Sequence, residues 1–443
     1  MKKTRFILTF LIFLFVPGIA FSANHYIRAG ATGSNNGSNW TNAWNEMSSV
    51  NWSSVAAGDT VWVAGGTYTT TLTPAKSGTS GSIISIRRAR SDAVECTGAT
   101  GWSSGYDSDV HQTRMTAISI GNYNYITISG RKTAAGSTTL DNTANGWWID
   151  NRGATSGMGV SFSGAVSSHI TIEYMKLQGA GHINYTSESR GVDQVAPGGN
   201  YSSYNTLSHL EIFNWESGIY NVRLNNGLWE YLDVYQNGAL NTATFHPDSF
   251  YTDDSSHGVL RYSKFHGNDG QMVFFVYASN ITDWTVYGCA FYHNEVPWGS
   301  SGYATPFMIQ AGTITYLRVY NNIFYNNWSN FALDSGGACG TGSENRNNII
   351  FGDGGGITCG TASNNLTPSV SPFVNAVGED YHIISTIGPG YPRNAGINLS
   401  AYFTKDMDGN TFGADGAWDI GAYELNSGSN PRMSPPKNPR TIP

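Results

Sequence analysis

The chain has 443 residues, of which 12% are charged and 13% aromatic, with 53 glycines and a formal net charge of -7 at pH 7. Its Lys and Arg form no run between the two ends, so it offers phosphate no electrostatic footprint, and this excludes nucleic-acid binding. Four cysteines are too few for a disulfide framework at this length, and few helix formers beside many strand and turn formers point to an all-β chain.

In chain order, Lys2, Lys3 and Arg5 precede an apolar run from Phe6 to Val16 and small residues ending at Ser22, the build of a secretory signal cleaved near Ala23. The run is shorter than the roughly 20 apolar residues of a membrane-spanning helix, so no span is expected after cleavage. The expected organisation is a signal at 1–22, one folded domain at 23–425 and a disordered Pro-rich tail at 426–443, in a secreted protein. Export permits Cys339 to pair with Cys359; two buried thiols are the alternative.

Residues Ala57 to Tyr68 read as a first strand after a turn, followed by Ile83 to Ile86. From 165 to 353 a unit recurs: a short apolar stretch, an aliphatic or aromatic anchor, then Asn, Gly or His at a turn. Taking Leu177, Ile212, Val234, Phe265, Phe291, Phe324 and Phe351 as equivalent anchors, the gaps are 35, 22, 31, 26, 33 and 27 residues. Between them lies a second set of strands, Gly218 to Arg223, Asp248 to Asp253, Met272 to Tyr277, Pro306 to Gln310 and Asn330 to Asp334. Two or three short strands per such unit make one rung of a parallel β-helix, because a single rung cannot bury its own apolar face and stacking supplies the core. The Asn residues suit the bends, where they tolerate left-handed geometry and bond locally. A β-propeller repeats at roughly 40 to 45 residues, a longer period than this one.

Gly58-Asp59-Thr60-Val61 followed by Gly66-Thr67-Tyr68, and Asp419-Ile420-Gly421-Ala422-Tyr423-Glu424 in an irregular closing segment, resemble the two ends of secreted bacterial right-handed parallel β-helix proteins of the pectate-lyase-like superfamily. The resemblance implies a right-handed helix with capped ends and an extracellular polysaccharide as partner; it leaves the reaction open, since the group contains lyases, glycosidases and epimerases. The polygalacturonase-type motifs, which occupy successive rungs in that family, find only Asp253-Asp254, His257-Gly258 and Arg261 with Lys264, all within one rung. The Arg-x-Pro-x-x-Arg and Trp-x-Asp-His patterns of a common pectate lyase family are absent.

The densest polar stretch is 246–269, with nine His, Asp, Arg and Lys residues in 24 positions. Cleavage of a uronic-acid polymer by β-elimination needs a cation to neutralise the sugar carboxylate and a base to take the neighbouring proton. Asp248, Asp253 and Asp254 are the oxygen ligands that would hold calcium for the first task. Lys264 or Arg261 is the expected base, Lys264 preferred because a nearby cation lowers its pKa more readily, with His246 or His257 as alternative base or as acid. Arg223 on the preceding rung is a candidate substrate contact, as are Trp215, Trp298 and Trp328, which sit in turn contexts where an aromatic face meets a sugar ring. A glycosidase would instead need paired carboxylates about 5 Å or roughly 6.5–9.5 Å apart, such as Asp248 with Asp253 or Asp233. A non-catalytic carbohydrate-binding scaffold is the third reading. Asp406 to Asn410 begins like a calcium loop but lacks its later ligands, so a closing turn is expected.

Overall fold

The computed structural model describes residues 22–162, 164–240, 247–276, 280–294 and 305–425. The signal, the tail, His246 and Trp298 lie outside the described residues. The chain winds as a right-handed parallel β-helix of three ladders. The first runs through Thr60–Val63, Ile84–Arg88 and Ile126–Ser129 to Leu228–Glu230, Val259–Arg261, Thr285–Tyr287 and Arg318–Tyr320. The second runs through Val110–Gln112 and Trp147–Asp150 to Asp233–Tyr235, Lys264–His266, Ala290–Tyr292 and Ile323–Tyr325. Ile170–Gln178 and Thr206–Phe213 are long enough to serve both ladders in turn. The third ladder holds Ser189–Val195, Ser217–Val222, Phe250–Asp253, Val273–Val276 and Phe307–Gln310. An additional strand, Asn24–Ile27, opens the first ladder ahead of the expected Thr60 strand.

The anchors are a physical stack. Leu177, Ile212, Val234, Phe265, Phe291 and Phe324 are register partners in succession, and all are fully buried. The seventh is Ile350 and not Phe351, which pairs with Tyr325 one place further along and is half-buried. Phe265, Phe291 and Phe324 lie face to face at 5.4 and 5.3 Å between ring centres, and burying each contributes about 1.5–3 kcal/mol.

Between the first and second ladders the chain turns through left-handed residues, Tyr174, His209, Tyr231 and Tyr262, with φ of 56, 52, 52 and 52°. Just beyond the second ladder, Asn237, Asn268, Asn294 and Asn327 stack as a buried amide ladder, each Nδ2 donating to the next Oδ1 at 3.1, 3.3 and 2.9 Å. The bends thus satisfy the polar groups that turning the chain inside a core exposes.

The last rungs are roofed by 373–425. Tyr287, Tyr292 and Tyr320 pack beneath Phe403, Trp418 and Tyr423 of this cap. Buried carboxylates hold it together: Glu424 accepts the N–H groups of Gly413 and Asp419 at 2.8 and 3.0 Å, and Asp406 those of Asp408 and Asn410 at 3.0 and 2.6 Å. Residues 406–410 are therefore a closing turn. Cys339 and Cys359 form a disulfide, while Cys96 and Cys289 are buried thiols.

Candidate functional site

One rung goes once around the helix, so the polar stretch at 246–269 is spread over the whole circumference. Asp248 is buried at the start of a third-ladder strand beside Gln271, and Asp253 closes the same strand. Asp253 and Asp254 meet Arg223 at that far end. Burial first, and then Asp254, push the Asp253 carboxyl up to about 6, with Arg223 opposing them. Tyr201 donates to Asp254 at 2.8 Å, and Arg223 donates to the Ala196 carbonyl. Asp248 is thus separated from the Asp253 and Asp254 pair, and no three His, Cys, Asp or Glu side chains among the described residues are grouped to hold a metal ion. The expected calcium triad does not fit.

His257 is exposed at the next bend, 3.0 Å from Asp283, which also takes Arg318. Arg261 faces outward from the first ladder, with Nε 2.8 Å from Glu230 and Nη1 2.9 Å from the Tyr287 hydroxyl. A guanidinium tied to a carboxylate in this way is a poor base. Lys264 faces outward from the second ladder, half-buried. Trp215 is a correction: the turn context suggested exposure, yet the ring is fully buried and its indole N–H donates to the Leu177 carbonyl at 3.0 Å. Trp328 is 64% exposed.

Residues brought together are those in register on successive rungs. The position before each anchor forms one outward column on the second ladder: His111, Trp148, Lys176, Glu211, Asp233 and Lys264 are consecutive partners. Its early part opens into a cavity of about 170 Å³ lined by Asp109, Asn142, Asn145, Trp148, Lys176 and Glu211. His111 stacks on Trp148 at 4.3 Å. Lys176 lies 5.3 Å from the Trp148 ring centre and 5.1 Å from that of Phe213, contacts that hold an ammonium with about 0.5–1 kcal/mol each. No ion pair engages Lys176 among the described residues. Glu211, on the next rung, accepts from the Tyr235 hydroxyl at 2.6 Å.

One wall of the cavity is a loop at 132–144 whose base is closed by a bridge between Arg131 and Asn145. Lys132 pairs with Asp109 at 3.3 Å, Ser137 N–H donates to Tyr174 at 2.9 Å, and Asn142 Nδ2 donates to Asp233 Oδ2 at 2.7 Å. Asp233 is fully buried beneath that contact and also meets His266 Nε2 at 3.0 Å. Lys264 therefore stands beyond the Asn142–Asp233 pair and outside the cavity lining. Trp148, Lys176 and Glu211 were missed in the sequence because no local cluster marks them; the anchor period does, since Lys176 and Glu211 each precede an anchor.

No family model and no curated protein matches the sequence. Among solved structures, a pectate lyase, Pel9A, aligns over 92% of this chain and 98% of its own with a TM-score of 0.58 at 15% identity. The chain shares the fold of that pectate lyase. A GH136 lacto-N-biosidase from Eubacterium ramulus aligns over 78% of this chain and 67% of its own, with a TM-score of 0.40 at 10% identity. The PL6 family alginate lyase AlyGC aligns over 88% and 59%, with a TM-score of 0.37 at 13% identity. At 15% identity the likeness to Pel9A shows the architecture alone.

Proposed function

We propose that the protein is an extracellular polysaccharide lyase that cleaves a uronic-acid-containing polymer by β-elimination in the second-ladder cavity. The observation that carries this reading is Lys176, a cation held between two aromatic faces at the cavity and engaged by no carboxylate among the described residues. Its ammonium pairs with the sugar carboxylate, and this acidifies the neighbouring C–H. Glu211 on the adjacent rung takes that proton, the electron pair becomes a carbon–carbon double bond, and the glycosidic oxygen leaves with a proton from water. Trp148 holds the ammonium against its ring and lines the cavity beside it. The role expected of Lys264 passes to Glu211, because Lys264 lies past the Asn142–Asp233 contact.

A second reading is hydrolysis, favoured by one observation: Asp109 and Glu211 are two carboxylates lining the same cavity. A panel of pectate, alginate, hyaluronan and bacterial exopolysaccharides separates the two. A rise in the ultraviolet absorbance of an unsaturated uronate supports elimination. New reducing ends without that absorbance mean hydrolysis, and neither signal on any polymer overturns cleavage in favour of a binding scaffold. The same panel run with calcium and with chelator tests for a metal requirement, whose ligands would then lie elsewhere than the Asp248, Asp253 and Asp254 set.

A further inference from the structure

The cavity is a blind end. Along the column it spans the two ladder steps from Trp148 to Glu211, about 10 Å at roughly 4.8 Å per step. It stops where Asn142 reaches over to Asp233. A volume of about 170 Å³ is below the roughly 300 Å³ at which pockets begin to hold drug-sized ligands, so there is room for one sugar ring.

Three side chains of the lining keep buried polar atoms with no partner: Asn142 Oδ1, Asn145 Oδ1 and Trp148 Nε1. The amide orientations are fixed by chemistry. Asn142 Nδ2 meets a carboxylate oxygen at 2.7 Å and Asn145 Nδ2 a backbone carbonyl at 3.3 Å; both partners only accept, so each Oδ1 is left as an acceptor. Asn145 is 8% exposed. A buried polar atom without a partner loses the hydrogen bond it would make to water, and a ligand bringing two hydroxyl donors and one acceptor would restore all three.

We propose that this cavity takes the terminal unit of an acidic polysaccharide, a pyranose whose hydroxyls donate to Asn142 and Asn145, whose carboxylate meets Lys176 and which accepts from Trp148 Nε1. The protein then engages chain ends and not chain interiors. This rests on the polysaccharide reading of the same site, but its test does not require turnover. Size-fractionated polygalacturonate and alginate, long and short, are titrated and the number of proteins bound per polymer molecule is measured by analytical ultracentrifugation. Wild-type protein is used on any polymer it leaves intact, and Glu211→Gln on one it cleaves. End binding gives the same number for long and short chains, and Lys176→Met weakens it at least 10-fold. A number that grows with chain length overturns end recognition, as does the absence of binding at millimolar sugar. Length-independent binding without cleavage keeps this inference and removes the lyase. For wild type that cleaves, viscosity should fall slowly relative to bonds broken; an early collapse of viscosity overturns the proposal even where Glu211→Gln does not fold.

Discussion

A late stretch of the first ladder and an early stretch of the second carry the same residue types on their outward faces and use them in opposite ways. On the first ladder charges neutralise one another: Glu230 with Arg261, Asp283 with Arg318, and Glu344 with Arg346 at 2.9 Å. On the second, Lys176 and Glu211 are neighbours in register that form no ion pair; aromatic rings hold the cation and a tyrosine hydroxyl holds the acid. A paired charge on a ladder is part of the wall, whereas a charge kept from its neighbour remains available to a ligand. Composition cannot make that distinction, because both faces read as occasional charges among apolar residues.

The sharpest way to break this comparison is a pair of equivalent substitutions. Lys176→Met keeps the length of the side chain and the packing between Trp148 and Phe213, so stability should stay within about 0.5 kcal/mol of wild type. Turnover on the responsive polymer should fall by on the order of 100-fold, about 2.7 kcal/mol of barrier. Wild-type rates in this variant would mean that Lys176 is as structural as the first-ladder arginines. Arg261→Met is expected to do the reverse and with a smaller effect. It leaves the half-buried Glu230 without its cation and Tyr287 without a donor, costing about 1 kcal/mol in a denaturant titration, discounted for exposure, with turnover unchanged. A drop in turnover without a loss of stability would put the reacting face on the first ladder.

Much of the fold was legible because burial imposes a period. Six of seven anchors stack as read from spacing alone. The seventh slipped by one residue because Ile349, Ile350 and Phe351 are all apolar, and the aromatic ring belongs to the column one place after the anchors, in register with Tyr292 and Tyr325. The Asn ladder was legible as bend chemistry. The site was not, for a geometric reason: residues close in sequence point around the circumference, as Asp253, Arg261 and Lys264 do, and residues that meet are a rung apart. Counting one place back from each anchor yields Lys176, Glu211, Asp233 and Lys264 directly, but shows neither that the 132–144 loop covers Asp233 nor that Trp215 turns inward.

The cap gives a third arrangement, carboxylates satisfied by backbone N–H groups inside an apolar shell, and it predicts the smallest effect. Burial, with Asp419 adding to it, pushes Glu424 up to about 8, and burial pushes Asp406 and Asp419 up to about 6 each. Arg393 and Asp415 face the same group, Arg393 opposing the rise of Asp419. A carboxyl whose pKa is higher folded than unfolded binds its proton more tightly in the native state. Its contribution is complete below the unfolded value of about 4.3 and is lost as pH rises through the folded one. His382, raised by Asp408 and Asp380 against its burial, acts in the same direction, and Glu216, pushed up to about 7 by burial, does so elsewhere. Asp59, Asp107 and Asp150 are lowered and act oppositely, but only as pH falls below about 4. The melting temperature should therefore decline from pH 5 to pH 9; Glu424 and His382 carry the part between about pH 7 and 8, and the buried thiols Cys96 and Cys289, which burial pushes up to about 12, the part above about pH 8.5. Glu424→Gln, which cannot ionise, should flatten the curve between about pH 7 and 8 while lowering it at pH 5, where its amide nitrogen replaces an acceptor of one of the two backbone N–H groups. An unchanged slope across that interval in the variant would show that the cap carboxylate is ionised at neutral pH and that burial at this end of the helix costs it nothing.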